Sequence, residues 1–266
     1  MKITIITIVK NGMPFIRETI KSVLSQTYPN VEYIVVDGNS DDGTLQLIQS
    51  YDGRLSKWVS GDDGGIAEAF NVGFKLSTGD YILYLNADDA LAHPDAIKQV
   101  AQKIQEFESP DFLYGDCDLI NRQSSELLYR ASISITIKKM LKGQIFPHPS
   151  TFTKRKYFID FGLFDPKFKI AMDYEFFLRG IGDARIIHVP ILVTKVRDGG
   201  ISTVSQARVV REIIAALKKN GHLDSSIREL RLRFYFWVRR SFRAILSASG
   251  LYGFFVLCRQ KFKASK

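Results

Sequence analysis

The sequence predicts an α/β protein whose sheet is parallel through its first half and mixed in its second, flanked by helices and followed by a basic helical tail. Three observations carry that prediction. Strand-like and helix-like segments alternate through the first hundred residues, as in successive βαβ units. Acidic or hydroxyl residues mark the carboxyl ends of the first four strand segments. Charge divides sharply between the body of the chain and its end.

Each element follows from a local pattern. Ile3 to Val9 is an Ile/Val/Thr run suited to a buried strand, broken by Asn11-Gly12 and Pro14. Ile16, Ile20, Val23, Leu24 and Thr27 recur at helical spacing. Val31 to Val36 is a second strand closing on Asp37. Ser40, Asp41 and Asp42 then offer N-caps for a helix from Thr44 to Ser50. Ser56 to Ser60 makes a short third strand. After Gly64-Gly65 a helix carries Ile66, Ala69, Phe70, Gly73 and Phe74 on one face. Tyr81 to Leu85 is a fourth strand running into Asn86-Ala87-Asp88-Asp89. Beyond residue 110 the alternation loosens. Strands are expected at Asp111–Leu119, Glu126–Arg130 and Arg185–Val193, and helices at Met172–Gly180 and Val204–Asn220.

With 266 residues, 45% of them hydrophobic and 24% charged, the chain can bury a full core as one large domain or one domain plus an appendage. The net charge of +9 is unevenly held. Residues 208–266 carry 14 basic and 3 acidic residues, net +11, which leaves 23 basic and 25 acidic in residues 1–207. That division excludes a uniformly basic nucleic-acid binder, and we expect a near-neutral body over 1–207 and a separate, strongly basic C-terminal region over 208–266. Cys117 and Cys258 cannot build a disulfide scaffold, so a reducing, cytoplasmic setting is expected. No leader pattern opens the chain. The longest uncharged apolar run, Ala244 to Cys258, reaches roughly 22 Å as a helix against the ~30 Å of a hydrocarbon core, so a spanning helix is not expected.

In open α/β sheets ligands bind beyond the carboxyl ends of the strands. Thr7, Asp37, Asp62-Asp63 and Asp88-Asp89 fall there on four successive strands. The plainer explanation, that Asp and Gly populate turns and caps, weakens when four strands deliver such residues to one rim. No G-x-x-x-x-G-K-[ST] loop is present, and Gly180-Ile181-Gly182-Asp183-Ala184-Arg185 lacks the third glycine of a dinucleotide fingerprint. A carboxylate-rich rim can still hold a diphosphate through a hard divalent cation, for which Asp88-Asp89 is the best candidate pair. His93, His148, His188, His222 and the two cysteines show no zinc spacing.

Several segments then converge in order. Val35-Val36-Asp37-Gly38-Asn39-Ser40-Asp41-Asp42-Gly43-Thr44 resembles the nucleotide-binding segment of family 2 glycosyltransferases. Asp63-Gly64-Gly65-Ile66-Ala67-Glu68-Ala69-Phe70-Asn71-Val72-Gly73 resembles their second signature. Thr78-Gly79-Asp80 and Leu85-Asn86-Ala87-Asp88-Asp89 resemble the segment holding their metal-binding acids. His148-Pro149-Ser150-Thr151-Phe152, Gly162-Leu163-Phe164-Asp165, Ala171-Met172-Asp173-Tyr174-Glu175 and Gly199-Gly200-Ile201-Ser202 match the acceptor half, so the resemblance covers residues 2–205.

The resemblance implies a GT-A fold and a nucleotide-sugar donor. Thr7 and Asp37 would contact the base, Asp63 would frame the nucleotide pocket, Asp88 would face the ribose, and Asp89 would hold the Mg²⁺ or Mn²⁺ that bridges the diphosphate. Asp173 would be the catalytic base, with Glu175 as the fallback. Two positions depart from the pattern: Asn86 stands where many relatives of the wider fold carry the first Asp of D-x-D, and Met172 precedes Asp173 where many members have an acid. The residue types suit the chemistry. An ionised Asp can accept the proton of an attacking hydroxyl, while a metal stabilises charge on the departing diphosphate. His148, in a Pro-flanked loop, is expected on the acceptor side or as a turn cap. Arg197 is expected to meet the diphosphate from a flexible lid or to remain solvated.

Residues 223–245 read as one amphipathic helix with Ile227, Leu230, Phe234, Trp237, Val238 and Ile245 on one face and Arg228, Arg231, Arg239 and Arg243 on the other. Phe254 to Leu257 and the basic Arg259, Lys261, Lys263 and Lys266 follow. This is the pattern of a surface-lying anchor drawn to anionic lipid, or of a helix packed on the body, or of both. Nucleic-acid binding by the tail ranks third and is not expected, because no stacking platform or recognised module accompanies the charge. The expected function is therefore inverting transfer from a nucleotide sugar, a UDP-sugar by preference, to a lipid-linked or envelope-polysaccharide acceptor at the inner face of the cell membrane. A metal-dependent nucleotidyltransferase and a non-catalytic nucleotide-sugar or membrane-binding module are the alternatives.

Overall fold

Apolar runs buried on both faces set the middle of the sheet. In a computed structural model, which describes residues 1–62, 64–200 and 206–248, β1 (Ile3–Val9) and β2 (Val31–Asp37) are buried almost throughout and pair in parallel from Ile3↔Val31 to Val9↔Asp37. β3 (Lys57–Ser60) and β4 (Tyr81–Tyr84) extend the parallel set on either side. The second half supplies β5 (Ala90–Leu91), β6 (Phe112–Ile120), β7 (Leu127–Ala131), β8 (Thr151–Lys154) and β9 (Ile186–Arg197). Together these strands form one sheet in the order β3-β2-β1-β4-β8-β6-β9-β5, with β7 paired to β6. β8 runs antiparallel to both β4 and β6, which makes the sheet mixed.

Helices α1 (Ile16–Leu24), α2 (Thr44–Gln49), α3 (Ile66–Leu76) and α4 (Ala96–Glu106) accompany the first half. One core cluster lies on the α1/α4 side with Ile3, Ile5, Val35 and Leu83. The other joins Ile6, Ile34 and Tyr84 to α3. Gly73 marks the close approach of α3 to β1, since a Cβ there would collide with Ile6. No element is predicted for α4, although its Ile97, Val100, Ala101 and Ile104 are all buried at helical spacing.

Helices α5 (Ile137–Met140), α6 (Arg155–Phe161) and α7 (Met172–Leu178) complete the second half around an aromatic cluster. Phe112 meets Phe177 edge-on at 5.2 Å, and Phe176 packs against Phe158 at 4.5 Å. The first pair fixes α7 to β6 of the sheet and the second fixes it to α6.

The expected boundary at 207 is not a boundary in packing. It falls inside α8 (Gln206–Lys219), whose Ile213, Ile214, Ala216 and Leu217 are buried in the same cluster as Phe176. The next helix, α9 (Ser226–Ala248), docks through Leu232, Tyr235 and Phe236. At 100° per residue those three positions oppose Ile227, Leu230, Phe234, Trp237 and Val238, which all face solvent at 43–68% exposure. The amphipathic face expected from sequence is thus the free face, and a second set of side chains makes the contact with the body. Residues 249–266, with the apolar and basic segments expected there, lie outside the described residues, as does the side chain of Ile245. No described helix is long and apolar enough to cross a membrane.

Candidate active site

Strands are added outward from β1 through β2 to β3, and then from β4 on its other side, so the order reverses between β1 and β4. A cleft of ≈ 1120 Å³ opens at the carboxyl ends of those two strands, the expected position for a ligand in such a sheet. Lys10 and Asn11 follow β1 into it, Asp88 and Asp89 follow β4, and Arg197 ends β9. Asp173 enters from α7 and His148 from the short 3-10 turn His148–Ser150.

The two acids after β4 differ in surroundings. Asp88 keeps part of its carboxylate exposed and accepts a 2.6 Å hydrogen bond from Arg122 Nη1. Asp89 is buried, and its oxygens accept from Asn86 Nδ2 at 2.8 Å and from the Arg197 backbone N–H at 3.1 Å. Burial, and then the neighbouring Asp88 charge, push the Asp89 carboxyl up to about 7. Among the described residues no group of three His, Cys, Asp or Glu side chains converges on a metal position. Two adjacent carboxylates, one of them destabilised as an anion, fit a hard cation that takes one or two protein oxygens and completes its shell with phosphate oxygens and water. They do not fit a closed structural site.

Opposite them, Asp173 opens α7. Its Oδ1 accepts from the Tyr174 backbone N–H at 2.7 Å, and its Oδ2 lies 3.3 Å from His148 Nδ1. His148 in turn stacks on Phe70 at 5.6 Å. The segment leading into α7 is held from the C-terminal region: Glu212 of α8 accepts from the backbone N–H groups of Ile170 at 2.8 Å and Ala171 at 2.9 Å. The helix that spans the expected domain boundary therefore holds the segment leading to Asp173.

Other predicted site residues lie elsewhere. Thr7 is fully buried and accepts from the Tyr33 hydroxyl at 3.2 Å, because the pleat of β1 places it on the same side as Ile5 and Val9. Asp37 is buried and accepts from Ser40 Oγ at 2.5 Å and Ser60 Oγ at 2.6 Å. It reaches the cleft indirectly, since Ser40 Oγ also accepts from the Asn11 backbone N–H at 2.8 Å. Glu175 does not line the cleft. It sits two residues, about 200°, round the helix from Asp173, fully buried, with Arg179 Nη2 at 2.6 Å and Lys219 Nζ at 3.0 Å. That pairing removes it as a fallback base. Arg197 is buried rather than carried on a lid, with Nη2 2.6 Å from Glu18 Oε2 and Nη1 donating to the Asp88 carbonyl at 3.2 Å. His188 is partly buried, its Nε2 2.8 Å from Asp116 Oδ1. Asp63, Ile201 and Ser202 lie outside the described residues.

Arg122, Lys10 and Glu212 carry no sequence pattern that marks them. Arg122 is brought to Asp88 by the pairing of β6 with β9 and of β9 with β5, contacts between segments far apart in the chain.

Comparison with known proteins follows the same lines. The family model described as Glycosyl transferase family 2 matches residues 4–162. An uncharacterized glycosyltransferase of Mycobacterium tuberculosis is 27% identical over 255 residues, covering 95% of this chain and 92% of that protein. One from Rickettsia felis is 29% identical over 187 residues, covering 66% of this chain, which spans 31% of that longer relative. Among solved structures, S. aureus TarS 1-349 in complex with UDP superposes with a TM-score of 0.65 at 22% identity, covering 87% of this chain and 68% of that one. The mannosyltransferase PcManGT from Pyrobaculum calidifontis, in complex with GDP-Man and Mn²⁺, gives 0.64 at 19% identity over 100% of this chain and 81% of that one.

Proposed function

The chain belongs to glycosyltransferase family 2 and has the GT-A fold, and from that premise we propose that it moves a sugar, with inversion, from a UDP-sugar to a lipid-linked or envelope-polysaccharide acceptor. One observation carries the reading: Asp88 and Asp89 on one wall and Asp173 on another line a single cleft at the switch point of the sheet. The UDP held by TarS supports uridine, and the Mn²⁺ of PcManGT supports a divalent cation.

The donor diphosphate would lie at the β1/β4 end, where the partly exposed Asp88, rather than the expected Asp89, would hold the Mn²⁺ or Mg²⁺, because Asp89 is buried beneath it and bonded to Asn86 and Arg197. When bound, the cation stabilises the charge that builds on the diphosphate as the sugar departs. Asp173 Oδ2 takes the proton of the acceptor hydroxyl as that oxygen attacks the anomeric carbon from the opposite face. His148 holds the same carboxylate oxygen in place, and the aromatic rings behind it keep the His148 ring from turning away. One displacement inverts the anomeric centre. A panel of UDP-, GDP- and dTDP-sugars, assayed for UDP, GDP or dTDP release with Mn²⁺ and with EDTA, tests the reading. Turnover unaffected by EDTA contradicts it.

The free face of α9 supports an acceptor at a membrane. Phe234 and Trp237 stack at 5.8 Å on an exposed apolar stripe, with Arg231 exposed beside it, and cation-bearing helices of this kind lie flat on anionic lipid. The site of action proposed is therefore the inner face of the cell membrane. Replacing Phe234 and Trp237 together by Ser is expected to weaken binding to phosphatidylglycerol vesicles by about tenfold or more, from the apolar area removed, with UDP binding unchanged. Equal sedimentation of both proteins with the vesicles would show that the stripe is not the contact.

A further inference from the structure

The hairpin between β6 and β7 places a cation where the donor chemistry needs one. Arg122 stands at its tip, in a turn closed by Asn121 Oδ1, which accepts from the Gln123 backbone N–H at 2.9 Å and the Ser124 backbone N–H at 3.0 Å. The Arg122 backbone N–H donates to Asp198 Oδ1 at 2.8 Å, so the tip is tied to the residue after Arg197. From there the Arg122 guanidinium enters the cleft and bonds the partly exposed Asp88 at 2.6 Å. It also stacks on Phe15, 4.7 Å from the ring centroid, and the Arg197 guanidinium stacks on the same ring at 4.8 Å. Arg197 Nε is buried with no hydrogen-bond partner among the described residues, an unused donor beside Asp88.

Two cations on one aromatic ring, beside the partly exposed Asp88 in the wall of the cleft, form an arrangement that a diphosphate would complete. The Arg122–Asp88 bond and a metal–Asp88 bond use the same carboxylate, so each weakens the other. Arg122 holds only Oδ2 of Asp88, so a cation arriving alone at that carboxylate sets its charge against the guanidinium and gives Arg122 no new partner. A cation arriving with a diphosphate supplies phosphate oxygens to which the freed guanidinium can donate, and guanidinium–phosphate bonds are among the stronger charge-assisted ones. Building on the donor-site reading above, we infer that Arg122 holds Asp88 in the donor-free protein and transfers to the donor diphosphate when metal and nucleotide bind, which makes their binding mutually dependent.

Calorimetric titration of Mn²⁺ alone, UDP alone and UDP with Mn²⁺ into wild type, Arg122→Ala and Arg122→Lys tests this. Arg122→Ala keeps the backbone bond to Asp198 and removes a side chain that is 41% exposed, so folding is retained. Its expected signature is opposed changes: Mn²⁺ alone binds about tenfold more tightly than to wild type, while UDP with Mn²⁺ binds about tenfold more weakly. Arg122→Lys, which keeps the charge, should fall between the two. Unchanged or weaker Mn²⁺ binding in Arg122→Ala, or unchanged UDP affinity, overturns the inference while wild-type binding of UDP with Mn²⁺ leaves the donor site standing. Wild type that binds no UDP with Mn²⁺ overturns the donor-site reading and this inference with it.

Discussion

Asp173→Asn is expected to lower the transfer rate by about 10³-fold, the middle of the range for removing a positioned general base, while UDP affinity stays at the wild-type value. The asparagine has the shape of the aspartate and can still accept from the Tyr174 backbone N–H through its carbonyl oxygen, so α7 starts unchanged. It cannot take a proton from an attacking hydroxyl. The donor groups Lys10, Asn11 and Asp88 come from other elements, which is why binding and rate should separate. Steady-state transfer or donor hydrolysis, measured beside UDP titration, reads both quantities. Wild-type turnover in Asp173→Asn would remove it as the base. Glu175 is already held by Arg179 and Lys219.

That same pairing produces the largest expected effect on stability. Glu175 is fully buried, and it accepts from Arg179 Nε at 3.1 Å and Nη2 at 2.6 Å, while Lys219 of α8 lies 3.0 Å away. Arg179 also donates through Nη1 to the carbonyls of Phe161 at 2.8 Å and Leu163 at 2.7 Å. Glu175→Ala leaves a largely buried guanidinium without its charge partner, and breaking such a pair costs roughly 3–5 kcal/mol. In a chain of this size that lowers Tm on the order of 10 °C. The pH dependence has a definite sign. Burial raises the Glu175 carboxyl, but hydrogen bonds from Arg179 and Lys219 outweigh it, and the net shift is below the ordinary value of 4.5. Stability from this ionised group is therefore fully present above that value and is lost as pH falls through the lowered one. The Tm difference between wild type and Glu175→Gln should be constant near neutrality and shrink below about pH 4.5. A difference that is the same at pH 3.5 and pH 7 would contradict this assignment.

How much of this was readable in the chain depends on the range of the interactions. The first four strands are apolar runs with turn residues at their ends, and parallel strands buried on both faces read that way from local sequence alone. The switch point follows from their connections, so the rim acids Asp88 and Asp89 were expected where the cleft is. Pleat direction is harder. Asp37 ends its strand as predicted, whereas Thr7 lies two residues inside the end of β1; Thr7 turns into the Tyr33 side of the core and Asp37 is filled by Ser40 and Ser60. Helix phase separates Asp173 from Glu175, two neighbours of the same charge with unrelated surroundings. The residues that no pattern marked, Arg122 and Glu212, act through contacts 34 and more than 40 positions away in sequence. In α9 the spacing of apolar residues gave the free stripe correctly as a face. It could not show that Leu232, Tyr235 and Phe236 dock the helix from the other side.

The account rests on one cleft that binds a nucleotide diphosphate through a metal at Asp88. Titrating UDP into wild type and Asp88→Ala, each with Mn²⁺ and with EDTA, tests that claim most directly. Saturable one-to-one binding to wild type in Mn²⁺, lost on chelation and lost in Asp88→Ala, is the predicted result. UDP binding that survives both EDTA and Asp88→Ala would contradict it.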